Sequence, residues 1–108
     1  MWRRTLKKIV CWFEGVFTVV ESKPEVFSGV DIAIMTAGTE ASLELSPEAV
    51  KRGCIVIDNS TAFRMAPEHP LVIPEVNTEQ LVNHQGIIAN PNCSTIQMLV
   101  AIKPLHEK

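Results

Sequence analysis

The sequence is poor in features that mark several classes of protein. It has only five glycines, and no two of them have the G-x-G or G-x-x-G spacing of a phosphate-binding turn. No apolar run is long enough to span a bilayer. The formal net charge of -2 gives no strong field for nucleic acid or an anionic membrane. We therefore expect neither a nucleic-acid partner nor a membrane partner.

Cysteine is also scarce. The three cysteines, Cys11, Cys54 and Cys93, cannot all pair with one another, and their spacing matches no metal-ligand pattern, so we expect no metal. The apolar stretch Ile9–Phe13 is shorter than that of a secretion signal. Free thiols without such a signal fit a reducing compartment, which predicts a cytoplasmic location.

What is present fits one small domain with its own core. The chain has 108 residues, of which 46% are apolar and 20% are charged. This length is too short for a cofactor domain plus a substrate domain. Near the start, β-branched and aromatic runs lie on both sides of Glu14 and Gly15. They predict a β-hairpin within Lys7–Val20.

Three short apolar runs predict buried parallel strands at Val30–Met35, Cys54–Asp58 and Gly86–Ala89. Good helix formers at Ser42–Lys51 predict a helix between the first two strands, with Pro47 near its start or at a kink. Strand, helix and strand in this order form a right-handed crossover. The predicted fold class is therefore α/β, a partial doubly wound, Rossmann-like parallel sheet.

Prolines shape the remaining segments. Three of them mark Asn59–Pro74 as a long loop, and a short helix is predicted at Val76–Leu81. A last helix is predicted at Cys93–Lys103, where Pro104 interrupts it.

Three loops leave the carboxyl ends of the predicted strands: Thr36-Ala37-Gly38, Asn59 to Arg64, and Asn90 to Cys93. Carboxyl ends of parallel strands meet at one edge of the sheet, and ligands of such sheets bind there. The sequence therefore predicts a site at this edge.

Cys93 is the sharpest candidate at this edge. Unpaired N–H groups and the positive helix end would stabilise a thiolate there, and a thiolate can attack a carbonyl or an acyl phosphate. Neighbouring N–H groups and the Asn92 side chain could hold the developing oxyanion. The alternative is a buried structural cysteine. For Cys54, which begins an apolar strand, structural packing is the prediction.

Other polar residues carry weaker signals. The Arg64 guanidinium suits a carboxylate or phosphate, or it is simply a solvated surface side chain. Asp58 and Glu75 follow strands without an obvious partner, so loop fixing or capping is predicted rather than acid–base work. Three histidines are predicted to be surface or turn residues: His69, His84 and His106.

From about Phe17 to His106 the chain resembles bacterial aspartate-semialdehyde dehydrogenase. The segments that carry the resemblance are VDIAIMTAG (30–38), IVIDNSTAFRM (55–65), PLVIPEVN (70–77) and GIIANPNCSTIQMLVAIKPLH (86–106). The resemblance implies reduction of aspartyl phosphate by NADPH, with NAD also open, to aspartate semialdehyde and phosphate, on the route to lysine, methionine and threonine.

The same resemblance implies roles for individual residues. It implies that Cys93 displaces phosphate to form a thioester, which hydride then reduces, and that Asn92 flanks this nucleophile. It implies that Arg64 binds the phosphate or phosphoryl group. Positions lining the nicotinamide cofactor would be Thr36, Ala37, Gly38 and Asn59.

Parts of the family pattern have no match here. Its first strand, its glycine-rich turn and its second domain with a general-base histidine are unmatched, so we expect the chain alone to be inactive or nearly so. Residues 1–16 are divergent, although they could form part of the hairpin. Residues 17–108 correspond to a partial NAD(P)-binding domain that ends in the catalytic-cysteine helix. The family also implies a homo-oligomer.

Two hypotheses from other classes stay open. One is a non-catalytic interaction module that pairs with a full-length subunit through an exposed sheet edge. The other is a stand-alone thiol protein, either a redox sensor or a hydrolase, although no base or resolving cysteine can be named for it.

Overall fold

The computed structural model describes residues 9–12 and 15–108, with side chains from residue 16 onward. Strands β1 (Ile9–Trp12) and β2 (Gly15–Thr18) pair in antiparallel register. The predicted hairpin is therefore confirmed. The predicted turn residue Glu14 and the side chain of Cys11 lie outside the described residues.

Three parallel strands form the centre of the fold, in the order β3 (Ile32–Met35), β4 (Ile55–Asp58) and β5 (Ile87–Ala89). Helix α1 (Thr39–Lys51) connects β3 to β4. The predicted parallel sheet is confirmed, and each strand begins one or two residues later than predicted, a normal uncertainty at strand ends.

Helix α1 covers one face of this sheet. The side chains of β3 alternate, so Met35 is buried whereas Ile32 and Ile34 on the other face are 58% and 70% exposed. The prediction that this strand is fully buried is therefore wrong, because no described residue covers that face. The core is formed by Phe27, Met35, Ala49, Cys54, Val56, Phe63, Ile87 and Ala89.

Helix α1 begins three residues earlier than predicted. Gly38 takes the N-cap position with a φ of 98°, a left-handed conformation that glycine adopts without strain. Pro47 consequently lies inside the helix, and the expectation that it lies near the start is wrong. Burial of Ser42, Ser46 and Ala49 against the sheet holds the helix on both sides of the proline.

Further helices follow strand β4 along the chain. Helix α2 (Pro74–Asn77) and a 3-10 helix (Thr78–Asn83) replace the single short helix predicted there. Helix α3 (Cys93–His106) runs through Pro104, so the predicted interruption is wrong. A proline in the last turn removes only the N–H that would meet the Val100 carbonyl. No helix among the described residues has the length and apolar character needed to cross a bilayer.

Candidate active site

Backbone hydrogen bonds hold the carboxyl ends of the three parallel strands level with one another. The Asn59 N–H donates to the Met35 carbonyl at 2.9 Å, and the Asn90 N–H donates to the Asp58 carbonyl at 2.8 Å. The loops that follow the strands therefore begin side by side. We call them the first loop (residues 36–38), the second loop (residues 59–64) and the third loop (residues 90–92).

Side chains also join these loops. The hydroxyls of Thr39 and Thr61 are 2.9 Å apart, which ties the start of α1 to the second loop. The Asn90 amide donates to the Asn59 side-chain oxygen at 2.8 Å, which ties the third loop to the second. Sequence reasoning missed Asn90 and Thr61 as site residues. The signal for Asn90 was the same as for Asn59, a polar side chain directly after an apolar strand.

Arg64 clamps the second and third loops together. Its Nε donates to the Asn90 carbonyl at 2.9 Å, and its Nη2 donates to the Asn59 carbonyl at 3.1 Å. The side chain is half-buried, so the alternative of a freely solvated arginine is wrong. The Nη1 nitrogen takes part in neither bond, so its two N–H groups remain as donors for a ligand, together with the second N–H of Nη2.

Cys93 is the first residue of α3, and its thiol is exposed and free. The alternative of a buried structural cysteine is therefore wrong. Asn92 caps the helix: its Oδ1 accepts from the Ser94 N–H at 3.0 Å and from the Ser94 hydroxyl at 2.7 Å. The Cys93 sulfur lies 3.9 Å from the same oxygen. Because an amide oxygen can only accept, the Asn92 Nδ2 is the side-chain atom that could donate to an oxyanion.

Cys54 is also a free thiol, but unlike Cys93 it is buried. It is 2% exposed and belongs to the core. Burial, reinforced by the negative charge of Asp31, raises the pKa of the Cys54 thiol above its ordinary value. A neutral, buried thiol packs as a small apolar group, which confirms the predicted structural role.

The first loop has space for a ligand. Thr36, Ala37 and Gly38 are exposed, and a Cβ added at Gly38 would meet no atom within 4 Å. The first N–H groups of α1 lack helical partners there and can donate to a ligand. Glu40 in the same turn would repel an anion. The loop therefore fits an uncharged amide-bearing part of a cofactor, such as a nicotinamide, better than a phosphate.

The histidines are engaged elsewhere. The His84 Nδ1 accepts from the Gly86 N–H at 3.1 Å, at the amino end of β5. His69 packs edge-on against the core residue Phe63, with ring centres 5.1 Å apart. His106 ends α3, roughly 20 Å along the helix from Cys93 at 1.5 Å per residue. Among residues 16–108, whose side chains the structure describes, no three His, Cys, Asp or Glu side chains are grouped to hold a metal ion.

Comparison with known proteins agrees with this architecture. The model of the family described as semialdehyde dehydrogenase, NAD binding domain, matches residues 13–84. The chain therefore belongs to this family of oxidoreductase NAD-binding domains.

The particular relatives are aspartate-semialdehyde dehydrogenases. That of Bacillus subtilis is 60% identical over 90 residues, which are 83% of this chain and 26% of the relative. The crystal structure of aspartate semialdehyde dehydrogenase II from Vibrio cholerae complexed with ASA matches with a TM-score of 0.85 at 42% identity, over 94% of this chain and 34% of that one. The enzyme from Candida albicans with NADP matches with a TM-score of 0.62 at 27% identity, over 72% and 26%.

Two conclusions follow from these matches. The predicted fold class, a partial doubly wound α/β sheet, is confirmed, and so is the predicted family. The chain spans about a quarter to a third of the length of these relatives.

Proposed function

We propose that this chain provides the nucleophile, the phosphate-binding arginine and part of the cofactor surface of an aspartate-semialdehyde dehydrogenase. One observation carries the proposal: the exposed Cys93 thiol begins a helix directly after the third loop, which the half-buried Arg64 clamps to the second loop. A nucleophile and an anion-binding group are thereby anchored to one rigid edge.

The chemistry divides between these groups. The Cys93 thiolate attacks the carbonyl carbon of aspartyl phosphate, a C–S bond forms, and the C–O bond to phosphate breaks with its electron pair leaving on the phosphate. The backbone N–H groups at the start of α3 and the Asn92 Nδ2 stabilise the oxyanion. A nicotinamide cofactor, NADPH or NADH, would supply a hydride to the thioester carbon; the C–S bond would then break, releasing the semialdehyde and returning Cys93 as the thiolate.

Arg64 holds the phosphoryl group through its Nη1, because Nε and Nη2 fix the guanidinium on the two loops. Thr36, Ala37 and Gly38 would hold the nicotinamide cofactor, and Asn59 could donate to it through its amide nitrogen, since its Oδ1 is taken by Asn90. We further propose a cytoplasmic location, on the basis of the free thiols, and a homo-oligomeric assembly, on the basis of the family resemblance.

The chain alone should turn over slowly. Each histidine is occupied by local packing or lies far along α3, so none is placed to serve as a base for Cys93. The assay is phosphate-dependent NADP reduction with aspartate semialdehyde. A normal turnover rate from the isolated chain would contradict this part of the proposal.

The first test of the site itself is binding of inorganic phosphate to the chain, followed by NMR. Phosphate should shift the Arg64 Nε–H and Asn90 amide signals. Arg64→Lys should weaken binding by about tenfold or more, because the single lysine nitrogen lacks the planar fork that reaches carbonyls on two loops and still presents Nη1 to a ligand, and a hydrogen bond to a charged group contributes roughly 1.5–3 kcal/mol.

The matched control is Arg52→Lys, since Arg52 is also half-buried but lies at the far end of α1 in an ion pair with Glu48. It should leave phosphate binding unchanged. Equal phosphate affinity in the Arg64→Lys variant and the unaltered chain would exclude Arg64 as the phosphate-binding residue.

A second candidate function is supported by a separate observation. Among the described residues β3 pairs with β4 only, and its Ile32 and Ile34 side chains are 58% and 70% exposed. An edge strand with one side unpaired and with exposed apolar side chains favours addition of another strand. The chain would then be a non-catalytic module that pairs with a longer subunit. Size-exclusion chromatography with light scattering, on the chain alone and mixed with a full-length subunit, tests this hypothesis. A stable monomer that does not bind the subunit would exclude the hypothesis.

A further inference from the structure

A buried carboxylate lies beneath the candidate site. Asp58 is fully buried at the end of the central strand β4. Its Oδ1 accepts from the Ser42 hydroxyl at 2.6 Å, and its Oδ2 accepts from the Ser60 hydroxyl at 2.7 Å. Such short distances are typical of hydrogen bonds to a carboxylate, which are about twice as strong as neutral ones.

Each contact of Asp58 leads to a different loop of the site. Ser42 lies in α1, and its N–H donates to the carbonyl of Gly38 in the first loop at 3.0 Å. The Ser60 hydroxyl accepts from the Ala62 N–H at 3.0 Å, which fixes the turn of the second loop. The backbone carbonyl of Asp58 accepts from the Asn90 N–H of the third loop at 2.8 Å.

We propose that Asp58 is the positioning residue of this site: its carboxylate couples the first loop, on the cofactor surface, to the second loop, which carries the arginine, while its backbone carbonyl holds the third loop beside them. The inference rests on the proposed function for its purpose, although the coupling itself is a property of the described contacts. Asp58 is not a catalytic residue, because both of its carboxylate oxygens are occupied inside the core.

These contacts predict a specific pattern in which loops loosen when each side chain is removed. Loss of the Ser42 hydroxyl should loosen the start of α1 and the first loop while leaving the second loop in place. Loss of the Ser60 hydroxyl should do the reverse. A change at Asp58 itself should loosen both loops together, although Asp58 is fully buried and belongs to neither loop.

The test is amide hydrogen exchange by NMR on the full chain. In Asp58→Asn, an NH2 group replaces one of the two carboxylate oxygens. The side chain then has one oxygen to accept from the two serine hydroxyls, so one of these hydrogen bonds is lost. The amides of Ser42 and Ala62 should exchange on the order of tenfold faster, while Val56, which bonds to Gly86 within the sheet, keeps its protection. Asp31→Asn, an exposed carboxylate beside β3, is the control and should leave all three amides unchanged.

The milder variants Ser42→Ala and Ser60→Ala keep the test decisive if Asp58→Asn does not fold. Ser42→Ala should accelerate exchange at position 42 and spare Ala62. A rise by one common factor at every amide, Val56 included, would reduce Asp58 to a residue of general stability and overturn the proposal.

Phosphate titration separates this inference from the proposed function. With Arg64 intact, Asp58→Asn should weaken phosphate binding several-fold, and Asp31→Asn should not. If the unaltered chain binds no phosphate, the proposed function fails, and the exchange pattern alone decides whether Asp58 couples the loops.

Discussion

Gly86 offers the sharpest test of how the sheet is packed. It precedes β5, the strand that leads to Cys93, and it has a φ of 93°. A Cβ at this position would lie 2.5 Å from Val50 Cγ1 and 2.9 Å from Val50 Cγ2 in helix α1. Gly86→Ala therefore meets two separate penalties, one from the backbone and one from the contact.

The two penalties can be separated. A left-handed backbone costs an alanine roughly 1–2 kcal/mol, and overpacking a core contact costs roughly 1–3 kcal/mol, so Gly86→Ala should lower the free energy of unfolding by about 2–5 kcal/mol. Gly53 has a similar φ of 85° but open space around its Cα. Gly53→Ala should therefore show only the backbone part, about 1–2 kcal/mol.

Urea unfolding of both variants, with Val50→Ala added in each background, measures the difference. The contact predicts that Val50→Ala costs less stability in the Gly86→Ala background than in the unaltered chain, because it removes the two crowded methyl groups. Equal destabilisation by Gly86→Ala and Gly53→Ala, with no coupling to Val50, would refute the packing of β5 against α1 described above.

Two further predictions concern titratable groups. Iodoacetamide should alkylate Cys93 in the folded chain, while Cys54 should react only in urea, because burial raises the pKa of its thiol; equal labelling of the two peptides by mass spectrometry would contradict their placement. A hydrogen bond from Lys51, and a smaller effect of one from Arg52, lower the pKa of Glu48 below its ordinary value of 4.5. The contribution of Glu48 to stability is therefore present above pH 4.5 and is lost as the pH falls through the lowered pKa. Thermal unfolding at several pH values should show a small advantage over Glu48→Gln at neutral pH that disappears in acid and weakens in salt.

Local patterns in the sequence were sufficient for the elements and for the edge where the site lies. Apolar runs that are followed by a polar loop predicted all three parallel strands, and their carboxyl ends at Met35, Asp58 and Ala89 are the observed ones. Because parallel strands point the same way, these ends had to meet at one edge. The same local logic predicted the helix that begins at Cys93.

Local rules failed where tertiary packing opposed them. Pro47 was expected near the start of α1 or at a kink, and Pro104 was expected to interrupt α3, yet both lie inside these helices. One missing N–H costs a helix a single hydrogen bond, and burial of the α1 face compensates for that loss. Full burial of β3 was expected from its apolar run. Apolar side chains show that burial is favourable, but they do not show that another element covers the strand on both faces.

The sequence by itself determined the fold class, the family and the position of Cys93 at a helix start, since each depends on residues adjacent in the chain; that the Cys93 thiol is exposed was decided by the tertiary structure. Only the tertiary structure decided what holds the site together. Arg64 reaches Asn90 across 26 positions, and Asn90 reaches Asn59 across 31. Hydrogen bonds between such distant positions depend on strand register and loop shape, which no short-range pattern encodes, so the arginine clamp and the buried Asp58 network became visible only in the folded chain.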